Sequence, residues 1–232
     1  MPSTVYLVPC VLDENATQTI PLYIIDAVKD SSVIFAENER TARRFLKSIW
    51  KEIVIDNYEW FAIHKAEAGL VDTFKQKITA HKNIAIISEA GCPGIADPGQ
   101  ALIEVAQQMN AVIKPLVGPS SILLSLMASG MNGQQFEFVG YLPIDNNERI
   151  KAIKELELSS AKQHSTKIFI ETPYRNNQLI ETLLKTAKLS TRLCIAAELT
   201  SANEFIRTKT IAGWKKEKTD FHKKPVIFLL QA

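Results

Sequence analysis

Ser88-Glu89-Ala90-Gly91-Cys92-Pro93-Gly94-Ile95-Ala96-Asp97-Pro98-Gly99 follows the run Asn83-Ile84-Ala85-Ile86-Ile87 and precedes an amphipathic stretch, Gln100 to Gln108. The apolar run reads as a buried strand bounded by turn residues. Residues 91–99 then hold three glycines and two prolines. Glycine permits positive φ and close approach of a ligand, and proline fixes φ and removes a donor. The result is a tightly shaped loop with few bulky side chains. Strand, shaped loop and helix in succession are how an open α/β sheet builds a small-molecule site at the carboxyl ends of its strands.

Working outward, the N-terminal half alternates in a βα rhythm. Strands are predicted at Val5–Val8, Ser32–Ala36, Glu52–Ile55, Ile84–Ser88 and Ala111–Leu116, with helices at Ile20–Lys29, Glu39–Trp50, Gly69–His81 and Gly99–Gln108. Such alternation predicts a mostly parallel sheet covered on both faces. Pro115-Leu116-Val117-Gly118-Pro119 reads as a hinge before a helix over Ile122–Ser129, capped by Ser120 or Ser121 and ended by Gly130. Beyond it, strands are expected at Phe136–Val139, Lys167–Glu171, Leu193–Glu198, Glu204–Ala212 and Val226–Leu230, and helices at Asn147–Ala161 and Asn176–Lys188. Only Leu199 to Asn203 separate two of these strands, so an antiparallel hairpin is expected and the second sheet is mixed. The predicted fold is two α/β domains, 1–116 and 117–232, with a ligand cleft between them.

Composition is that of an ordinary globular chain, 46% apolar and 22% charged across 232 residues. No apolar run is long enough to span a bilayer, and no basic-then-apolar leader opens the chain, so neither a membrane span nor a signal peptide is expected. Cys10, Cys92 and Cys194 are scattered without metal-ligand spacing, which fits a reduced cytoplasmic setting and no metal. Net charge is +2, but residues 1–116 carry 11 Lys/Arg against 14 Asp/Glu, while 117–232 carry 16 against 11. The tail is densest, with Arg207, Lys209, Lys215, Lys216, Lys218, Lys223 and Lys224 set around Trp214 and Phe221. That strip suits either a solvated hairpin or a nucleic-acid backbone. No GxxxxGK[ST], GxGxxG or GxSxG occurs, which removes support for NTP hydrolysis, nicotinamide chemistry and the α/β-hydrolase route.

Seven motifs in order resemble the tetrapyrrole methylase-like superfamily, and most closely its branch of ribosomal RNA small-subunit methyltransferase I. Ser88–Gly99 is similar to S-[DE]-A-G-T-P-x-x-x-D-P-G, Ala36-Glu37-Asn38-Glu39-Arg40 to A-E-D-T-R, and His64-Lys65-Ala66-Glu67 to H-x-x-E. Pro115–Ser120 resembles P-L-P-G-P-S, Phe138–Pro143 resembles F-x-G-F-L-P, Glu171–Arg175 matches E-[ST]-P-x-R, and Ala197–Thr200 matches R-E-L-T. The resemblance covers nearly the whole chain. It implies S-adenosylmethionine (SAM) as cofactor, methylation of a cytidine 2′-hydroxyl in small-subunit ribosomal RNA, and a homodimer. It further implies that Glu89, Ala90, Gly91, Cys92, Pro93 and Ile95 line the methionine side of the cofactor. Ser120 and Ser121 would contact it from the second domain, and Glu171, Ala197, Pro225 and Val226 would close around the adenosine.

A 2′-hydroxyl is a weak nucleophile until a base takes its proton. Glu37, His64 and Asp97 are the catalytic candidates, and Arg40 and Arg175 are candidates for holding substrate. Each has a plainer alternative. Asp97 can cap the following helix, His64 can be a surface histidine, Glu37 can pair with Arg40, and Arg175 can fork onto a neighbouring carboxylate. Cys92 reads as a packed small residue rather than a nucleophile. The first loop departs from the family's T-P-I-G-N-L, reading Cys10-Val11-Leu12-Asp13-Glu14-Asn15, and Ala197 stands where an arginine is usual. Acidic residues there repel a phosphate backbone. A small-molecule acceptor such as a tetrapyrrole, or SAM binding without transfer, therefore stay open beside RNA.

Overall fold

A computed structural model describes residues 2–63 and 68–232. The chain divides into two units between Ser120 and Ser121. Among the described residues the first unit has five strands: β1 (Thr4–Val8), β2 (Val33–Ala36), β3 (Glu59–Ala62), β4 (Ile84–Ile87) and β5 (Val112–Pro115). Between them run α1 (Ile24–Asp30), α2 (Glu39–Ile49), α3 (Ala68–Thr79) and α4 (Gln100–Gln108). The sheet order is β3-β2-β4-β1-β5 and every pairing is parallel. Strands β2 and β4 are buried at every position, which is why they read as unbroken apolar runs rather than alternating ones.

Alternate residues of those strands face opposite layers. Ile34, Ala36, Ala85 and Ile87 pack with Ile24 and Val28 of α1 and with Phe45 and Leu46 of α2. Val33, Phe35, Ile84 and Ile86 pack with Phe74 and Ile78 of α3 and with Leu102 and Val105 of α4. Phe35 sits edge-on to Phe74 and stacks on Phe61, at ring separations of 5.1 and 4.9 Å. Helix α1 therefore leaves β1 toward one layer and α4 leaves β4 toward the other, although β1 and β4 are neighbours. Their carboxyl ends form a topological switch point, where open α/β sheets present a crevice to ligands.

One predicted strand is corrected. Glu52–Ile55 is not extended into the sheet; a 3-10 turn covers Ile55–Asn57 and the edge strand is Glu59–Ala62. Side chains fold the earlier segment back: Lys47 Nζ donates to the Ile53 carbonyl at 2.6 Å and Trp60 Nε1 to the Ile55 carbonyl at 3.0 Å. The first helix also starts later than its apolar spacing suggested, at Ile24, because residues 17–19 form a 3-10 turn and Pro21 has no N–H to contribute.

The second unit contains α5 (Ser121–Ser129), β6 (Phe136–Tyr141), α6 (Asn146–Gln163), β7 (Thr166–Ile170), α7 (Asn176–Thr186), β8 (Arg192–Ala197), β9 (Phe205–Thr210), α8 (Ile211–Trp214) and β10 (Val226–Gln231). Its order is β6-β7-β10-β8-β9. Only β6 and β7 are parallel, and the β8–β9 hairpin is antiparallel, so the sheet is mixed as its sequence implied. Strand β9 stops at Thr210 because that hydroxyl turns to accept the Gly213 N–H at 3.1 Å and caps α8. Helix α6 opens on Asp145, whose carboxylate accepts the N–H groups of Asn147 and Glu148 at 2.9 and 3.0 Å, a cap worth about 1 kcal/mol. Among the described residues no helix is long and apolar enough to cross a membrane.

Candidate active site

Three loops gather at the switch point of the first sheet. Residues 88–99 leave β4, residues 9–13 leave β1, and residues 116–119 leave β5. A two-way backbone bridge ties the first two: Cys10 N–H donates to the Gly91 carbonyl at 2.8 Å, and Gly91 N–H to the Cys10 carbonyl at 3.1 Å. The Ser88 hydroxyl donates to the same Gly91 carbonyl at 3.0 Å. Gly91 has φ of +75°, a conformation that glycine adopts without cost. Gly118 closes the third side. A Cβ there would stand 2.3 Å from the Pro9 ring, so only glycine lets these two loops touch.

Asp97 shapes the rest of the loop. Its Oδ1 accepts the N–H of Gly94 at 2.9 Å and of Gly99 at 2.8 Å, folding residues 94–99 around one carboxylate just ahead of α4. Cys92 packs inward with Sγ 3.5 Å from the Pro119 carbonyl, and burial together with nearby Asp97 pushes its thiol pKa up. A thiol so held is poorly ionised, which fits the packed small residue that the sequence suggested. Glu89, Ala90 and Ile95 point outward, Ile95 being 54% exposed. The loop thus presents a short surface backed by rigid glycine–proline backbone.

Beside it, Glu37 at the end of β2 accepts the Glu89 N–H through Oε2 at 2.9 Å. Asn38, the N-cap of α2, accepts the Thr41 N–H and extends its amide toward Glu89 Oε1 at 3.5 Å. Burial raises the Glu37 pKa, the Glu89 N–H opposes that shift, and the charges of Asp97 and Glu89 add to it. Asp97 is raised too, chiefly by burial. Glu37 therefore lies within reach of the charges of Asp97 and Glu89, and a carboxylate so surrounded favours a cation beside it. Arg40 lies exposed on the first turn of α2, and no ion pair joins it to Glu37 among the described residues. His64 lies outside the described residues.

The second unit collects its own candidates at one end of its sheet. Because β10 runs antiparallel between β7 and β8, Val226 faces Ala197 in register and the Glu198 N–H reaches the Pro225 carbonyl at 3.0 Å. Glu171 follows β7 at the same end. Its side chain is fully buried, and Arg175 forks onto Oε1 through Nε at 2.9 Å and Nη2 at 2.6 Å, joined by the Thr172 N–H at 2.6 Å. Arg175 thus takes the carboxylate rather than standing free for a phosphate. Glu171 Oε2 is buried with no hydrogen-bond partner, an acceptor waiting for a donor. Ser121 opens α5, and Ser120 ends the first unit.

Sequence reasoning missed three participants. Asn38 lies inside a motif without a role assigned from sequence, yet it caps α2 and reaches Glu89. Tyr174 lies inside a motif but was given no role. Asn176 anchors the 221–224 turn through its amide, 3.0 Å from the Phe221 carbonyl and 2.8 Å from that of Lys224. No local pattern marks such contacts, because the partners lie tens of residues apart.

These residues fit SAM. In the first unit the carboxylates suit its sulfonium and the glycine–proline wall admits close approach; in the second, taken by itself, the orphaned Glu171 oxygen can accept from an amine or hydroxyl. The family model for tetrapyrrole (corrin/porphyrin) methylases matches residues 16–213. A Bacillus subtilis protein named ribosomal RNA small subunit methyltransferase I is 30% identical over 217 residues, covering 91% of this chain and 70% of its own. The chain spans between about half and 70% of the length of the first curated relatives it matches. Among solved structures, a diphthine synthase superposes with a TM-score of 0.69 at 12% identity, covering 99% of this chain and 89% of its own. A Thermus thermophilus uroporphyrin-III C-methyltransferase complexed with S-adenosyl homocysteine superposes with a TM-score of 0.56 at 14% identity, covering 99% and 97%. The chain belongs to the tetrapyrrole (corrin/porphyrin) methylases, a family of S-adenosylmethionine-dependent methyltransferases.

Proposed function

We propose that this chain methylates RNA of the small ribosomal subunit, at a cytidine 2′-hydroxyl, using SAM held against residues 88–99. The observation that carries the reading is the convergence of Glu37, Glu89 and Asp97 on a glycine–proline loop at the β1/β4 switch point. The name borne by relatives near 30% identity supports an RNA acceptor. When bound, SAM supplies an electrophilic methyl group on a sulfonium.

The chain's own residues then have three tasks. Gly91, Cys92 and Pro93 form the wall against which the cofactor is oriented, and alignment for in-line displacement is worth the most. Asp97 is a positioning residue, since its carboxylate is committed to two loop amides. Glu37 takes the 2′-hydroxyl proton. One of its oxygens holds the Glu89 N–H, leaving Oε1 for the acceptor, and its raised pKa makes it a stronger base than an ordinary carboxylate. Glu171, Ala197, Pro225 and Val226 are proposed as the second unit's cofactor contacts, with Ser120 and Ser121. A cytoplasmic homodimer completes the reading.

Methyl-labelled SAM incubated with the purified protein and small ribosomal subunits should put label into RNA. Label entering uroporphyrinogen instead would move the acceptor to tetrapyrroles. Label entering neither, with SAM still bound by calorimetry, would leave a binding module.

A further inference from the structure

The lysines of the C-terminal segment and the aromatics among them part company in the structure. Trp214 and Phe221 are 2% and 5% exposed, and Phe221 packs on Phe205 with ring centroids 5.3 Å apart. Neither can stack on a ligand from outside. The aromatic at this surface is Tyr174, 70% exposed. It meets the His222 ring edge-on at 5.9 Å, and Lys223 Nζ lies 5.8 Å from its ring centre.

The end of the segment that carries Lys223 and Lys224 is fastened down. Asn177 accepts the Phe221 N–H at 2.9 Å and donates to Asp220 at 2.8 Å, while the Lys223 N–H donates to the Pro173 carbonyl at 2.9 Å. Residues 172–177 and 220–224 therefore form one ordered surface. Little ordering remains to be done on binding, which favours affinity.

Its charge is also unspent. Glu217 is taken by Lys209, and Lys224 by Glu198. Lys215, Lys216, Lys218 and Lys223 have no carboxylate partner among the described residues. The other acid in the segment, Asp220, already accepts from Asn177 and from the His222 N–H. An exposed aromatic with Lys223 at its ring, in a segment that carries three further lysines without a carboxylate partner among the described residues, matches a splayed base and its phosphates. A lipid surface fits less well, because the segment's apolar side chain, Phe221, is buried rather than offered for insertion.

We propose that Tyr174, with His222 and Lys223 and the preceding lysines 215, 216 and 218, is a docking surface for single-stranded RNA, one base stacking on Tyr174. This rests on the RNA reading above. The test measures binding of the full chain to a fluorescein-labelled single-stranded RNA of about 12 nucleotides by anisotropy across a salt series. Tyr174→Ala should weaken binding about tenfold and Tyr174→Phe should restore it. Replacing Lys215, Lys216, Lys218 and Lys223 by serine should lower the slope of log affinity against log salt by about 3. SAM titration of each variant serves as the control for folding. If the wild type methylates RNA while these variants bind it with unchanged affinity and slope, the surface is wrong and the function stands. If the wild type labels uroporphyrinogen and no RNA, the functional reading itself has failed. Co-sedimentation with phosphatidylglycerol vesicles in place of RNA binding would also overturn the surface.

Discussion

Glu37, proposed above as the base, sits where burial and two neighbouring carboxylates oppose its charge. Its carboxyl is raised by burial and by Asp97 and Glu89, so the folded state favours the protonated form. The sign follows: stability tied to a raised carboxyl is present at acid pH and is lost as pH climbs through the folded value. Glu37→Gln removes that loss and keeps an oxygen for the Glu89 N–H. Its melting temperature relative to wild type should therefore rise as pH climbs above the ordinary glutamate range. Methyl transfer should fall about 10²–10⁴-fold in kcat, with SAM affinity retained. A variant with full activity would remove Glu37 as the base. Gly118 makes a different demand. A methyl group there collides with Pro9, and Gly118→Ala should cost about 1–3 kcal/mol in a urea titration. Loop glycines announce themselves in a sequence because few other residues take their backbone angles. The pairing of Asn38 and Glu37 with Glu89 does not, since 51 and 52 residues separate the partners.

The turn from β7 into α7 depends on one ion pair. Glu171 is fully buried and Arg175 is its only charged partner among the described residues. Arg175→Ala leaves that carboxylate with the Thr172 N–H alone and should destabilise the protein by about 3–5 kcal/mol, read by denaturant unfolding. Arg175→Lys restores the charge without the fork and should recover part of the loss. Equal stability of all three proteins would contradict the burial. The sequence showed the E-T-P-Y-R cluster but offered phosphate binding and a carboxylate fork as equals; choosing between them needed the burial of Glu171. Strand β3 shows the opposite limit. Glu52-Ile53-Val54-Ile55 has the better β composition, yet Trp60 and Phe61 take the sheet edge because Phe61 stacks on Phe35 while Lys47 ties Ile53 into a turn. Tertiary packing overrode local preference.

Parallel and mixed sheets, hairpin and helix order were all readable from periodicity, because buried strands and amphipathic helices leave different repeats in the chain. The switch point was less so, since strand order depends on which face each helix covers. That order puts Cys10 against Gly91 and so brings the loop of residues 88–99 to the switch point, where the cofactor is proposed to bind. Photocrosslinking of methyl-labelled SAM, followed by tryptic mapping, tests this placement without altering any residue. Trypsin spares the Lys114–Pro115 bond and no other lysine or arginine lies between Lys82 and Arg149, so residues 83–149 leave as one peptide, within which fragment sequencing separates label on residues 88–99 from label elsewhere. Label is expected in that peptide and should be competed away by unlabelled SAM. Competable label confined to other peptides would contradict the account.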